Sequence, residues 1–120
     1  MARILIVDDS PLIRKMVRKA LEPEGFQIAG EAKNGQEGVN LYKKLKPDVI
    51  VMDVTMPVKG GLDAAREILS DFPEAKILLL SAMGDKELIQ EAKSVGVKLN
   101  LQKPFKPKEI IDSIKKVVSS

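Results

Sequence analysis

The sequence contains no cysteine and no histidine. Without cysteine, the chain has no disulfide bonds, no thiolate metal sites and no cysteine nucleophile. Without histidine, it lacks the side chain that most often serves as a general base and the usual ligand of zinc. A metal ion bound by this chain must therefore be held by oxygen atoms, which favours Mg²⁺, Ca²⁺ or Mn²⁺.

Long apolar runs and aromatic residues are also scarce. No apolar run approaches the roughly 18 residues of a membrane span, and the first predicted strand begins at the N-terminus, so we expect neither a membrane anchor nor a signal peptide. We therefore expect a cytoplasmic location. The net charge is only +3, and one tyrosine and three phenylalanines are too few for an evident base-stacking platform. Direct nucleic-acid binding is not expected.

What is present suits one folded domain. The chain has 120 residues, of which 44% are hydrophobic, enough for a single core and close to the globular average. No linker, repeat or low-complexity tract divides it. We therefore expect residues 1–120 to form one domain without an appended output domain.

Strand-like and helical patterns alternate five times along the chain. Short apolar stretches predict buried strands, and they lie at residues 3–9, 26–32, 48–53, 76–81 and 97–103. Between them, helical spacing with caps and breakers predicts helices at about residues 11–22, 35–45, 62–71, 85–95 and from 107 onward. Five such units predict an α/β fold, a doubly wound parallel sheet covered by helices on both faces.

The polar side chains that follow these strands are the candidate site. Carboxylates follow the first and third strands, a hydroxyl follows the fourth and an amine follows the fifth; they are Asp8, Asp9, Asp53, Ser81 and Lys103. In an open parallel sheet, ligands bind outside the carboxyl ends of the strands. This set suits a divalent metal beside a group that accepts a phosphoryl.

Four short motifs at the strand ends resemble those of one family. They are Val7-Asp8-Asp9-Ser10, Met52-Asp53 through Pro57 with Gly61, Leu80-Ser81-Ala82 and Lys103-Pro104-Phe105. Each motif is weak alone, but together and in this order they resemble the CheY-type receiver domain of two-component response regulators, over essentially the whole chain. The resemblance implies a flavodoxin-like sheet with the strand order 2-1-3-4-5, which places the first and third strands side by side.

The resemblance also implies a role for each site residue. Asp53 would accept the phosphoryl group and contact Mg²⁺, which Asp9 would ligate directly and Asp8 mostly through water. The backbone carbonyl of Thr55 would be a further metal ligand. Ser81 and Lys103 would contact the phosphoryl oxygens, and the peptide bond before Pro104 would be cis.

The implied function is a phosphorylation-activated switch. It would take a phosphoryl group from a histidine kinase, lose it to water, and have no other enzymatic activity. Its output would go to a separate protein through the face formed by the fourth helix, fifth strand and fifth helix. Both a chemotaxis role and a phosphorelay role remain open. The alternative of another class is a small Mg²⁺-dependent phosphatase, although such enzymes usually carry an aspartate where this chain has Thr55.

One position departs from the family pattern. Many receivers carry an aromatic residue three positions before the lysine of the fifth strand, and here that residue is Asn100. Asparagine cannot bury comparable apolar area, so a readout based on ring movement is not expected. Met83, two residues after Ser81, would flank the pocket.

Each site residue also has an ordinary structural interpretation. An Asp8–Asp9 pair can be a polar strand exit, Ser81 a common strand end, and Lys103 a surface lysine beside a turn. The joint occurrence of the motifs favours the functional interpretation.

Overall fold

The computed structural model describes residues 2–120 as five strands and five helices in strict alternation. The strands are β1 (Arg3–Val7), β2 (Gln27–Ala32), β3 (Val49–Asp53), β4 (Ile77–Ser81) and β5 (Leu99–Gln102). The helices are α1 (Pro11–Leu21), α2 (Gly35–Leu45), α3 (Gly61–Asp71), α4 (Lys86–Ser94) and α5 (Pro107–Ser119), and a short 3₁₀ turn, Glu22–Glu24, follows α1.

All neighbouring strands are parallel, and their order in the sheet is β2-β1-β3-β4-β5. The predicted doubly wound fold and strand order are therefore confirmed. The order reverses between β1 and β3, which are neighbours although β2 lies between them in the sequence. This reversal creates the crevice in which such sheets bind ligands.

The sheet separates two apolar cores. Successive side chains of a strand point to opposite faces, so Leu5 joins the core under α2 and α3, whereas Ile4 joins the core under α1 and α5. Val39 and Ile68 fill the first core, and Ile110 is buried in the second. Burial on both faces explains the near-continuous apolar sequences of the central strands.

The prediction of five buried strands holds only for the three in the centre. In β2 only Ala32 is buried, and in β5 the partly buried Leu99 and Leu101 alternate with the exposed Asn100 and Gln102. Both strands lie at an edge of the sheet and have only one neighbour. Asn100 therefore points to solvent rather than into the core.

The helix ends follow the signals in the sequence. The Ser10 side chain accepts a hydrogen bond from the backbone N–H of Ile13 at 3.3 Å, and Asn34 accepts one from Glu37 at 2.9 Å. The Glu37 carboxylate accepts a hydrogen bond from the backbone N–H of Lys33, one residue before the cap Asn34. In a standard capping box this bond would come from the N–H of the cap residue itself. None of the helices within residues 2–120 is long and apolar enough to cross a membrane.

Candidate functional site

Asp8 and Asp9 follow β1 and differ in burial. Asp8 is fully buried, while Asp9 is exposed. The backbone N–H of Asp8 still bonds to the carbonyl of Ala32 at 3.0 Å, so the strand pairing continues to this point. One carboxylate oxygen of Asp8 accepts a hydrogen bond from the N–H of Ser10 at 2.9 Å. The start of α1 therefore fixes the Asp8 side chain inside the crevice.

Asp53 ends β3 beside this pair. In the sheet, Met52 lies opposite Val7 of β1, and Asp53 lies opposite Leu80 of β4. Only 7% of Asp53 is exposed. One carboxylate oxygen each from Asp8, Asp9 and Asp53 lies within 4.8 Å of the others. The structure thus brings the three predicted carboxylates together at the point where the strand order reverses.

Lys103 approaches the same carboxylates from β5. Its Nζ donates to Oδ2 of Asp8 at 2.9 Å and lies 3.5 Å from Oδ1 of Asp53. The backbone N–H of Lys103 bonds to the carbonyl of Ser81 at 2.7 Å, which fixes where the side chain starts. The Lys103–Pro104 peptide bond is cis.

Ser81 and Thr55 flank Asp53 on its two sides. Ser81 is buried at the end of β4, one residue beyond the partner of Asp53 in the sheet. Thr55 is exposed in the loop between β3 and α3. Met83, two residues after Ser81, is 84% exposed. The loop backbone at Thr55 therefore lies next to the carboxylate of Asp53, to which it donates a hydrogen bond.

Burial and neighbouring charge set the protonation of Asp53. Burial raises the pKa of its carboxyl to about 6, and the negative charge of Asp8 adds to the rise. The charge of Lys103 and a hydrogen bond from the backbone of Thr55 oppose it. A cation that entered the crevice would favour the ionised form of Asp53 in the same way.

For the pKa of Lys103, neighbouring groups outweigh burial. Burial opposes its charged form, but the hydrogen bond and charge of Asp8, together with Asp53, outweigh burial and raise the pKa of the ammonium. Lys103 therefore stays positively charged at neutral pH. The crevice combines oxygen ligands, the donor set that Mg²⁺ prefers, with one fixed positive charge.

Arg14 of α1 contacts the site although it was not among the residues predicted from the sequence. Its Nη1 donates to the backbone carbonyl of Asp8 at 2.5 Å, and its Nε bonds to Glu31 of β2 at 3.1 Å. Glu31 is shared with Arg18, at 2.6 Å. The position of Arg14, one turn after the cap Ser10, was a usable signal, but nothing in the sequence pointed to Glu31 as its partner.

Comparisons with known proteins agree with this geometry. The family described as "Response regulator receiver domain" matches residues 4–115. The chain is 44% identical over 115 residues to the chemotaxis protein CheY of Thermotoga maritima, covering 96% of both proteins. It is 42% identical over 117 residues to the transcriptional regulatory protein PdtaR of Mycobacterium tuberculosis, covering 98% of this chain and 57% of that protein.

A solved receiver structure has the same fold as this chain. The signal receiver domain of NarL from Mycobacterium tuberculosis superposes with a TM-score of 0.93 at 29% identity, covering 99% of this chain and 97% of that one. The family match, the identity to CheY and this superposition each extend over nearly the whole chain. The chain belongs to the response regulator receiver domain family.

Proposed function

We propose that this chain is a phosphorylation-activated switch in which Asp53 accepts a phosphoryl group with the help of Mg²⁺. The observation that carries the proposal is the joint position of three carboxylates within 4.8 Å of one another and the ammonium of Lys103, 3.5 Å from Asp53. An anionic acceptor alone would repel an anionic phosphoryl group. Carboxylates together with a fixed cation suit the binding of a metal and a phosphoryl side by side.

The carboxylates and one carbonyl would hold the metal. Asp9 and Asp53 would bind it directly, Asp8 mostly through water, and the backbone carbonyl of Thr55 would complete the protein ligands. The exposure of Asp9 supports its direct role, because it can turn into the crevice without losing a buried contact. When bound, Mg²⁺ supplies the positive charge that offsets the charge on the phosphoryl oxygens.

Asp53 is the nucleophile in this proposal. A carboxylate oxygen of Asp53 forms a bond to phosphorus as the phosphorus–nitrogen bond of a kinase phosphohistidine breaks, and the electron pair leaves with the imidazole, which takes up a proton. The product is an acyl phosphate, a known covalent intermediate of carboxylates. Water later attacks the phosphorus and returns the carboxylate and inorganic phosphate. No histidine in this chain can replace the kinase as donor.

Lys103 and Ser81 would detect the new group. Phosphorylation adds negative charge next to Asp53, which attracts the Nζ of Lys103 away from its 2.9 Å contact with Asp8. The hydroxyl of Ser81 would donate to a phosphoryl oxygen. Because the backbone of Ser81 bonds to that of Lys103, movement at this site would alter β4 and β5 together.

We further propose that residues 1–120 act as a single receiver domain on a separate protein partner, in the cytoplasm. The target would bind the face of α4, β5 and α5, where Asn100 is exposed rather than buried. The name of the CheY relative favours a chemotaxis role for this chain, and passing the phosphoryl group on in a phosphorelay is the second candidate. Receiver domains are signalling domains, so we expect self-phosphorylation and autodephosphorylation only.

Intact-mass spectrometry with a small phosphodonor tests the function. With Mg²⁺ present, we expect the mass of one phosphoryl group to appear per chain and to be lost slowly, and chelation of Mg²⁺ should strongly reduce the gain. Continuous hydrolysis of phosphate esters without accumulation of the labelled chain would instead favour the phosphatase, and a chain that never gains mass with or without Mg²⁺ would contradict both.

A further inference from the structure

The loop that follows Asp53 is fastened to the rest of the protein at Lys59. The backbone carbonyl of Lys59 accepts a hydrogen bond from the N–H of Gly35, the first residue of α2, at 2.9 Å. The Nζ of Lys59 forms an ion pair with Glu67 of α3. This one residue thus ties residues 54–60 to two helices.

Gly35 makes the backbone contact possible. A Cβ at this position would lie 2.3 Å from the carbonyl oxygen of Lys59 and 2.9 Å from its carbonyl carbon. Real Cβ atoms do not come this close to backbone atoms, so a larger residue would push the loop away from α2. The absence of a side chain on Gly35 therefore sets how closely the loop approaches α2.

The ion pair of Lys59 belongs to a small network. Glu67 also lies 3.7 Å from Nζ of Lys43 on α2, and Lys43 lies 3.4 Å from Asp71 at the end of α3. The hydrogen bond from Lys59 is the main cause that lowers the pKa of the Glu67 carboxyl, and Lys43 contributes. Glu67 therefore remains charged at neutral pH and bridges the loop, α2 and α3.

The backbone next to Lys59 is held in a strained form. Val58 has a φ of +68°, and the N–H of Lys59 bonds to the carbonyl of Pro57 at 2.7 Å, so Val58 is the centre of a tight three-residue turn. A β-branched residue is a genuine outlier at this φ, and such turns are strained. Val58 is 83% exposed and gains little packing in return. Contacts of its neighbours must keep the turn in place.

We propose that Lys59 is a positioning residue for the metal and phosphoryl site. Its contacts with Gly35 and Glu67 hold the loop in the form that presents the Thr55 backbone to the crevice. The inference rests on the proposed function, since it assigns Thr55 and Asp53 to one bound metal ion. Residues of the loop that are fixed in advance lose less conformational freedom when the ion binds.

The backbone contacts at the two ends of the loop show what Lys59 contributes to its position. Thr55 follows Val54, whose N–H bonds to Leu80 at 2.9 Å and whose carbonyl accepts from Gly61 at 2.7 Å. The two ends of the loop are therefore fixed independently of Lys59. What Lys59 adds is the path between them, and with it the direction of the Thr55 carbonyl.

Two charge-removing variants and one control test the role. Lys59→Met and Glu67→Gln each abolish the ion pair while keeping the size of the side chain. The control is Arg66→Met. Arg66 lies on the same helix as Glu67 and forms an ion pair with Glu91 of α4 at 3.0 Å, which is more exposed than the pair of Lys59 and lies away from the loop. The measurement is the Mg²⁺ dissociation constant, obtained from NMR titration of the full chain.

We expect Lys59→Met and Glu67→Gln each to weaken Mg²⁺ binding about three- to fivefold, the range that a partly exposed ion pair can supply. The double variant should bind Mg²⁺ no more weakly than the single variant with the larger loss, because both substitutions remove the same Lys59–Glu67 contact. The labelling rate at saturating Mg²⁺ should stay close to that of the unaltered chain. Arg66→Met should leave the dissociation constant unchanged.

A second readout does not depend on the metal. Hydrogen exchange at the amide of Gly35 should become faster in Lys59→Met and Glu67→Gln but not in Arg66→Met, since this N–H bonds to the loop. Val58→Gly should remove the strain in the turn. In that background, Glu67→Gln should change Mg²⁺ binding less than it does in the unaltered chain.

The outcomes separate this inference from the proposed function. If the unaltered chain binds Mg²⁺ and the two charge-removing variants bind it equally well, the positioning role is wrong and the switch stands. If the two variants bind Mg²⁺ more weakly than the unaltered chain but Arg66→Met is weakened equally, a general change in surface charge causes the loss, and the positioning role is again wrong. If the unaltered chain binds no Mg²⁺, the proposed function fails and the positioning role with it.

Discussion

Asp53→Asn should abolish the incorporation of a phosphoryl group. The amide nitrogen and oxygen that replace the carboxylate are poor nucleophiles toward phosphorus, so no acyl phosphate can form. The variant keeps the shape of the side chain, which is only 10% exposed, and the fold should therefore be retained. Intact-mass spectrometry with a small phosphodonor and Mg²⁺ measures the loss directly.

The matched control for this variant is Asp63→Asn. Asp63 is an exposed aspartate in the first turn of α3, 3.6 Å from Arg66 and outside the crevice. It should be labelled as fully as the unaltered chain. Full labelling of the Asp53→Asn protein would mean that another residue is the acceptor.

Asp53→Asn should also raise the free energy of unfolding at neutral pH. The pKa of Asp53 is raised to about 6 in the folded protein, so the folded state favours the protonated form. The stability that comes from protonated Asp53 is fully present below the pKa that Asp53 has in the unfolded chain. It is lost as the pH rises through about 6, the pKa in the folded protein. At pH 7.5 without Mg²⁺, Asp53→Asn should therefore be more stable by about 1–2 kcal/mol, less than the full shift because the site opens to solvent.

The pH dependence distinguishes this cause from a general effect of the substitution. Urea unfolding at pH 4.5 and 7.5 should show a smaller gain at the lower pH, where Asp53 is largely protonated already. A gain of equal size at both pH values would contradict the assigned pKa shift.

Lys103→Met should destabilise the metal-free protein by about 2–3 kcal/mol. Removing the ammonium leaves the fully buried carboxylate of Asp8 without its charged partner, 2.9 Å away, although the N–H of Ser10 still donates to it. Breaking a fully buried ion pair costs about 3–5 kcal/mol, and the expected loss is smaller because Lys103 retains 23% exposure.

Mg²⁺ should offset that loss. A divalent ion in the crevice restores a positive partner for Asp8, and without Lys103 it no longer competes with an ammonium for the carboxylates. The variant should therefore bind Mg²⁺ about tenfold more tightly than the unaltered chain, which corresponds to about 1.4 kcal/mol. Thermal unfolding with and without Mg²⁺, together with titration of the ion, measures both effects.

The variant should nevertheless fail to change shape. With no ammonium to move from Asp8 to the phosphoryl oxygens, addition of beryllofluoride should leave most chemical shifts of β4 and β5 unchanged. Normal shift changes in these strands would contradict the role given to Lys103. Mg²⁺ binding weaker than in the unaltered chain would contradict the competition between the lysine and the ion.

The placement of the site could be predicted from the sequence because it depends on strand ends. Apolar runs identify the strands, and a parallel sheet brings their carboxyl ends to one edge. Asp8, Asp9 and Asp53 are therefore neighbours even though 43 residues lie between the second and the third. The strand order itself came from the resemblance, since composition and spacing alone do not determine which strands are neighbours.

Contacts between side chains of different elements could not be predicted in the same way. The pairing of Lys59 with Glu67 depends on the path of a loop, and that of Arg14 with Glu31 depends on which exposed residues of α1 and β2 come close. Charged residues are frequent in this chain, 31% of the total, so many pairings are equally compatible with the sequence. The strain at Val58 was hidden because its positive φ is unusual for valine.

The edge position of β5, in contrast, has a signal in the sequence. The stretch around Leu99 and Leu101 has enough apolar residues to predict a strand, but its alternation with Asn100 and Gln102 reflects exposure on one face. Alternation of this kind is expected of a strand with one solvated face. It is the signal that β5 lies at the edge of the sheet.

The most direct test is a crystal structure of the chain with Mg²⁺ and beryllofluoride. We expect beryllium bound to a carboxylate oxygen of Asp53, Mg²⁺ in contact with Asp9, Asp53 and the carbonyl of Thr55, and both Ser81 and Lys103 hydrogen-bonded to fluorine. Mg²⁺ bound away from these carboxylates, or beryllofluoride attached to any residue other than Asp53, would contradict the central claim that this crevice is the phosphorylation site.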